Sequence, residues 1–469
     1  MKMGHLQRIS EMIEQKRDLF IQVSDCIWEY AETRFEEYRS AELLCKTLEN
    51  EGFTVERGVG GIETAFIGSY GSSKPVVAIL GEFDALSGLS QQKGMAKQEP
   101  IVPGGNGHGC GHNLLGSGAL AAAVAVKQYM EENNIQGTVR YYGCPGEEGG
   151  SGKAFMAREG LFDDIDFALC WHPMDYNSIF SVNSLANFQV YYKFKGRSSH
   201  AAVSPHMGRS ALDAVELMNI GVNYLREHLI QEARVHYAVT NAGGLSPNVV
   251  QANAEVLYLI RAPEVSQVQE IYERVCDIAR GAALMTGTEV KIVFDKACSN
   301  LIPNKVLETV MYKKFAELGV PVHDEQELQL AKQVRATLSE QERNSVKKQF
   351  PELMDKDLAD RLNPYNGPSP LYGSTDVGDV SWIAPTAQCT TACFAVGSPA
   401  HSWQWVTLGA TSIAHKGMLH AGKVMAATAV EMMLNPQLIE QAKAELKERL
   451  GREAYVCPIP KEVVASARK

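Results

Sequence analysis

At 469 residues the chain is too long for one simple core, and two domains are expected. Hydrophobic residues at 45% and charged residues at 21% describe an ordinary globular protein, not a disordered or fibrous one. The formal net charge of -10 and the lack of any Lys/Arg-rich run argue against a nucleic-acid partner, since phosphate binding needs a basic surface.

The first fifty residues read as helix. Apolar residues recur at helical spacing through Ile9, Met12, Ile13, Leu19, Phe20, Val23 and Ile27, and again through Leu43, Leu44 and Leu48. Glu51-Gly52 ends that pattern at a turn. Strand-like runs follow at Phe53 to Val55, Ala65 to Gly68 and, more strongly, Pro75 to Gly81. After a polar, Gly- and Gln-rich loop, the Ala-rich stretch Leu114 to Met130 predicts a helix. Thr138 to Gly143 then predicts a strand, Ala154 to Glu159 a helix and Phe167 to Trp171 a strand. Strands alternating with helices, with continuous apolar runs in the strands, predict a mostly parallel sheet covered on both faces.

Near residue 185 the pattern changes. Strand-like Val190 to Phe194 precedes a helix from Ser210 to about His228. Strands at His236 to Thr240 and Val256 to Ile260, a helix at Val265 to Met285 and a strand at Val290 to Phe294 complete a β-α-β-β-α-β order. That order is the ferredoxin-like signature. From Ile302 the chain is α/β again, ending in a predicted strand Thr391 to Val396 and helix Gly417 to Met433. The expected fold class is therefore α/β, a mixed, mostly parallel sheet with helices on both faces, plus an inserted ferredoxin-like α+β domain. The expected division is 1–185, 186–300 and 301–469, the first and last parts forming one domain. The polar stretch 325–370, rich in Lys and Glu, reads as a solvated surface insertion.

Cys110 and His112 sit two apart in a glycine-flanked loop just before a predicted helix. Thiolate and imidazole both suit a borderline transition metal, and glycines let the backbone curl so that both point inward. His108 in the same loop competes for the ligand role. Gly146-Glu147-Glu148-Gly149-Gly150-Ser151-Gly152-Lys153 follows a predicted strand. One carboxylate there can ligate metal while its neighbour takes a proton from water. A phosphate-cradling loop fails on detail: the spacing to Lys153 is one residue too long, no Ser or Thr follows, and two acids would repel phosphate. His172 and His401 each follow a predicted strand, and Glu82 and Asp84 follow another, so all fall on the edge where α/β folds gather function.

The series Cys-Gly-His (110–112), Glu-Glu-Gly-Gly-Ser-Gly (147–152), Trp-His-Pro (171–173), Ser-Thr-Asp-Val-Gly-Asp-Val-Ser-Trp (374–382) and a late His401 resembles the M20 metallopeptidase family. It is closest to the amidohydrolase branch that holds auxin-conjugate hydrolases and aminoacylase-like enzymes. The resemblance covers nearly the whole chain and is loosest over 325–370. It implies a zinc-exopeptidase-like catalytic domain and a dimerising insertion. It also implies two divalent metal ions, manganese ahead of zinc, held by Cys110, His112, Glu148, His172 and His401, with Cys110 bridging where other branches use aspartate. Glu147 matches the family's general base and Asp84 an acid that orients a ligand. Many relatives place a histidine ligand two residues before that aspartate; here it is Glu82, which is not assigned to metal.

The resemblance further matches His200 to a histidine that reaches a partner's active site and steadies the oxyanion. Asn248 and Arg261 match positions that hold a substrate carboxylate. Read from chemistry alone, an Arg fork suits the two oxygens of a carboxylate, although a surface salt bridge would account for Arg261 equally well. His206, His415 and His420 receive no role, and Cys144, Cys170, Cys389 and Cys393 read as buried small residues.

The activity the resemblance implies is hydrolysis of an amide joining an aryl acyl group to glutamate, as in p-aminobenzoyl-glutamate. Other N-acyl amino acids or dipeptides are the alternative substrates. A mainly structural or trans-acting subunit is the alternative of another class. The expected partner is a second identical or similar subunit, held through 186–300. No secretion-type apolar core opens the sequence and no stretch of about 18 uncharged apolar residues occurs. With ten scattered cysteines read as reduced thiols, these features predict a cytoplasmic protein without a membrane partner.

Overall fold

A computed structural model describes residues 4–348 and 350–467. The chain lays down β1 (Thr54–Arg57), β2 (Phe66–Gly71), β3 (Val76–Glu82), β4 (Thr138–Cys144), β5 (Phe167–Met174) and β6 (Ser178–Ile179). It continues with β7 (Val182–Ser184), β8 (Ala186–Lys195), β9 (Arg234–Asn241), β10 (Asn253–Ala262) and β11 (Glu289–Cys298). β12 (Ser369–Leu371) and β13 (Thr386–Ala392) close the set.

The main sheet has seven strands in the order β1-β2-β4-β3-β5-β13-β6. Its centre, β4-β3-β5-β13, is parallel, and antiparallel pairs flank it on both sides. All residues of β3 and β13 are buried, as expected of strands covered on both faces. Neighbouring tyrosines on β4 reveal the two covers, because successive strand residues point to opposite faces. The Tyr141 hydroxyl donates to Gly116 O on the helix His112–Asn133. The Tyr142 hydroxyl donates to Leu161 O, and its ring lies 4.8 Å from that of Phe162, beyond the helix Gly152–Arg158. The helix Ser412–Leu434 packs beside His112–Asn133. None of the described helices is long and apolar enough to cross a membrane.

A second sheet, β11-β8-β10-β9, is wholly antiparallel. The helices Ala211–Leu225 and Val265–Thr286 pack on it and on each other. The mixed sheet with helices and the separate antiparallel α+β unit are as the sequence predicts.

Three local expectations need correction. Helix is not continuous through the first fifty residues: it runs His5–Gln15, Arg17–Tyr30 and Tyr38–Asn50. Ala31 and Phe35 at positive φ break it, and the intervening loop carries residues that brace the site. The late strand is Thr386–Ala392, not Thr391 to Val396. Its ladder ends where Ala392 faces Met174, and the apolar run beyond is buried by side-chain packing, Phe394 stacking on Trp405 at 4.1 Å. The stretch 325–370 is not simply a solvated insertion. Val346, Leu353 and Ala359 form a small core with Ala392 and Val396, and the Val396 N–H donates to Asp357 O, so the segment backs the loop that leads to His401.

Candidate metal centre and active site

The C-terminal ends of β3, β4 and β5 converge on one edge, and the side chains just past them meet. Gly111 sits at φ 75°, and a Cβ there would come within 2.7 Å of Pro173, so only glycine lets the chain swing from Cys110 into a helix that begins at His112. Past β4, the turn Glu147–Gly150 is irregular, entered and left through the left-handed conformations of Gly146 and Ser151. His172 lies on β5. His401, at φ 60°, is tied to the cysteine loop by its own N–H, which donates to Gly109 O.

These loops assemble two sets of donor atoms within 4.8 Å of one another: Cys110, His112 and His172, and Cys110, Glu148 and His401. Cys110 belongs to both. Its sulfur is 3.4 Å from His172 Nε2, and His401 Nε2 is 3.0 Å from Glu148 Oε1. Among the described residues, two buried atoms aimed into this space have only ion-pair contacts, His112 Nε2 with Glu82 Oε2 at 3.3 Å and Glu148 Oε1 with His401 Nε2 at 3.0 Å, and neither meets hydrogen-bond geometry. Buried donor and acceptor atoms left without a well-formed hydrogen bond are costly, and a shared thiol flanked by such atoms fits a pair of cations. His112 Nδ1 donates to Asp84 Oδ1 at 2.9 Å, which fixes the tautomer that leaves Nε2 free. Asp84 Oδ2 also accepts from the Glu148 N–H at 2.8 Å, so one carboxylate orients two of the predicted ligands.

The competing His108 turns away. Its Nε2 donates to Ile27 O at 3.0 Å, and burial, with the neighbouring His112, lowers its pKa to about 3. A third set of donors, Glu82, His112 and Glu147, also exists, but Glu82 is 2.6 Å from Lys153 Nζ. Burial, then the carboxylates of Glu82 and Glu148, raise the Glu147 pKa well above the usual carboxylate range. Burial would raise Glu148 too, but the adjoining His401 and the charge of His112 outweigh it and bring it to about 2. The adjacent carboxyls thus have opposite proton affinities. Burial, with Glu148, pushes the Cys110 thiol up, although His112 opposes the shift.

The centre opens into a cleft of about 400 Å³ between the two sheets, which Arg261 of β10 also lines. His200 and Asn248 do not reach it within the chain. Both are exposed, joined through the Ala201 N–H to Asn248 O bond.

Two buried supports escaped the sequence reading. Lys153 Nζ lies 2.6 Å from both Glu82 and Asp376, wholly out of water. Glu37 accepts hydrogen bonds from Phe35 N, Gly146 N and Thr64 Oγ1, holding the Glu147 turn to the loop that breaks the N-terminal helices. The adjacent glycines were a visible cue at Lys153, but nothing local marked its two carboxylate partners. Replacing Lys153 with Met would leave both carboxylates uncompensated. Such a loss costs about 3–5 kcal/mol, and we expect a lower midpoint in denaturant titration at unchanged slope.

Residues 78–467 match peptidase family M20/M25/M40, and the chain belongs to that family of hydrolases. It is 54% identical, over 98% of each chain, to one of the subunits of p-aminobenzoyl-glutamate hydrolase from Escherichia coli (strain K12). It is 28% identical to the Xaa-Arg dipeptidase of Mus musculus, over 95% of this chain and 93% of that one. Among solved structures, it superposes with a TM-score of 0.55 and 16% identity on the Bacillus subtilis YxeP protein, covering 90% and 99% of the two chains. That protein is described as a dinuclear metal-binding peptidase of the M20 family.

Proposed function

We propose that the chain is a two-metal amidohydrolase that cleaves p-aminobenzoyl-glutamate to p-aminobenzoate and glutamate. The observation that carries the chemistry is the pair of donor sets sharing Cys110, with the Glu147 carboxyl beside them. The relative at 54% identity, named for that substrate, supports the choice of amide.

In this reading Cys110, His112 and His172 would hold one cation, and Cys110, Glu148 and His401 the other. Two divalent ions held there would polarise the scissile carbonyl and acidify the attacking water. Glu147 takes that water's proton and returns it to the departing glutamate nitrogen. Asp84 keeps His112 and the Glu148 backbone in place. Arg261 grips a substrate carboxylate through its fork. His200 and Asn248, exposed and remote from their own cleft, serve the cleft of a second subunit, His200 steadying the oxyanion.

The second sheet supports pairing through 186–300, since its edge strand β9 leaves Tyr237 and Val239 exposed. The Escherichia coli relative is one subunit of a hydrolase with differing subunits, which favours a similar rather than identical partner. All ten cysteines are free, which supports a reducing, cytoplasmic setting.

Metal analysis of the purified chain, followed by an assay on p-aminobenzoyl-glutamate with added manganese and then with zinc, tests the whole reading. About two ions per chain and chelator-sensitive release of p-aminobenzoate are expected. A metal-free chain that still hydrolyses the amide would remove the proposed centre. Activity of the chain alone equal to that of any mixture would remove the need for a different partner.

A further inference from the structure

Lys296 received no role in the sequence reading, yet it stands 6% exposed in the cleft wall. Among the described residues it has no ion-pair or hydrogen-bond partner. Its stem is buried while its ammonium opens onto the cleft without a counter-charge, so an anion entering the cleft meets an unpaired cation there.

The backbone places it there through a bulge. Along β11, Phe294 faces Val190 of β8, but the next paired residue is Lys296, opposite Gln189, leaving Asp295 as the extra residue. In an unbroken register Lys296 would face Phe188 and point to the helix-covered side with Phe294. The extra residue re-aims it to the side of Gln189, Leu259 and Arg261, which line the cleft. Asp295 itself is unavailable as a partner. Its carboxylate accepts two hydrogen bonds from Arg34, each 3.0 Å, and one of 2.7 Å from Gln189.

The remaining carboxylates of the cleft are engaged at the metal end: Glu82 with Lys153, Glu148 with His401, and Glu147 in the proton relay. The same wall offers buried polar atoms without partners, Arg261 Nε, Gln388 Nε2 and Ser374 Oγ, all able to donate. Lys296 and Arg261 sit on the two strands that flank β8, so the cleft presents two cations across one strand.

We infer that Lys296 and Arg261 form a clamp for a dicarboxylic leaving group, Lys296 taking the side-chain carboxylate that glutamate has and glutamine lacks. This rests on the amidohydrolase reading above and narrows its substrates to N-acyl derivatives of acidic amino acids.

The test compares Lys296→Met with the parent oligomer, metal-loaded, on p-aminobenzoyl-glutamate and p-aminobenzoyl-glutamine. Loss of a charge-assisted contact predicts a drop of about 10- to 100-fold in kcat/KM on the glutamate substrate, mostly through KM, with little change on the glutamine one. Lys296→Arg, which keeps the charge, should retain most of the preference. Equal losses on both substrates, or none on either, overturn the clamp while leaving the amidohydrolase reading intact. Calorimetric binding of both compounds to the Glu147→Ala protein, with and without Lys296→Met, reads the same discrimination without turnover. If the parent cleaves neither amide, the broader reading fails, and the calorimetry still decides whether Lys296 selects the second carboxylate.

Discussion

Glu147→Ala is expected to lower kcat on p-aminobenzoyl-glutamate by about 10⁴-fold, the upper end for loss of a positioned acid–base group. Bound metal and thermal midpoint should stay near those of the parent. The separation of effects follows from geometry, since Glu147 belongs to neither of the two donor sets built on Cys110. Its raised proton affinity, set by burial and then by the Glu82 and Glu148 carboxylates, favours its taking up a proton that it later hands on. Glu147→Gln keeps the shape without the base and should be as inactive. A variant at this position that turns over at the parental rate would transfer the base role elsewhere.

Cys110→Ser should have the second large effect, on metal and rate together. Both donor sets lose their common atom, so we expect fewer than about one ion per chain and a fall in kcat/KM of at least about 100-fold. A serine hydroxyl is too weakly acidic to ionise in this pocket. The thiol carries a distinct pH signature. Burial, assisted by Glu148, holds it protonated, and ligation requires the thiolate, so filling the centre displaces one proton from this sulfur. Metal affinity in the parent should therefore rise with pH, and the serine variant's residual binding should depend on pH less steeply. Calorimetry in two buffers of different ionisation enthalpy counts the released protons. Full metal content with the parental rate in the serine protein would mean that the bridge is drawn at the wrong atom.

The legibility of this protein in its sequence was uneven, for identifiable reasons. Strands β3 and β4 were predicted to within a residue or two because an apolar run bounded by turns is a local signal. The late strand was displaced because Cys393 to Val396 is apolar for packing against Trp405 and the 325–370 segment, a demand that looks the same in sequence as burial in a sheet. That segment was misjudged for the converse reason: its few apolar residues sit among many charges, and only their partners Ala392 and Val396 reveal them as core.

The loop around Cys110 shows where each kind of information resides. Local sequence determined which ligand chemistry was present, because residue type, glycine flanks and strand-end position are all read within a few residues. It also determined the order of elements that makes a parallel sheet gather its loops on one edge. The family resemblance implied a shared Cys110 and an orienting Asp84, but only the tertiary structure shows the pairings: the sulfur's two donor sets reach His172 and His401, and Asp84 takes His112 Nδ1 and the Glu148 N–H. The structure likewise decided that Lys153 joins Glu82 to Asp376, and that a bulge at Asp295 aims Lys296 into the cleft. Each of these depends on strand register or on contacts between distant segments, which are set by the packing of the whole core and leave no periodic trace along the chain.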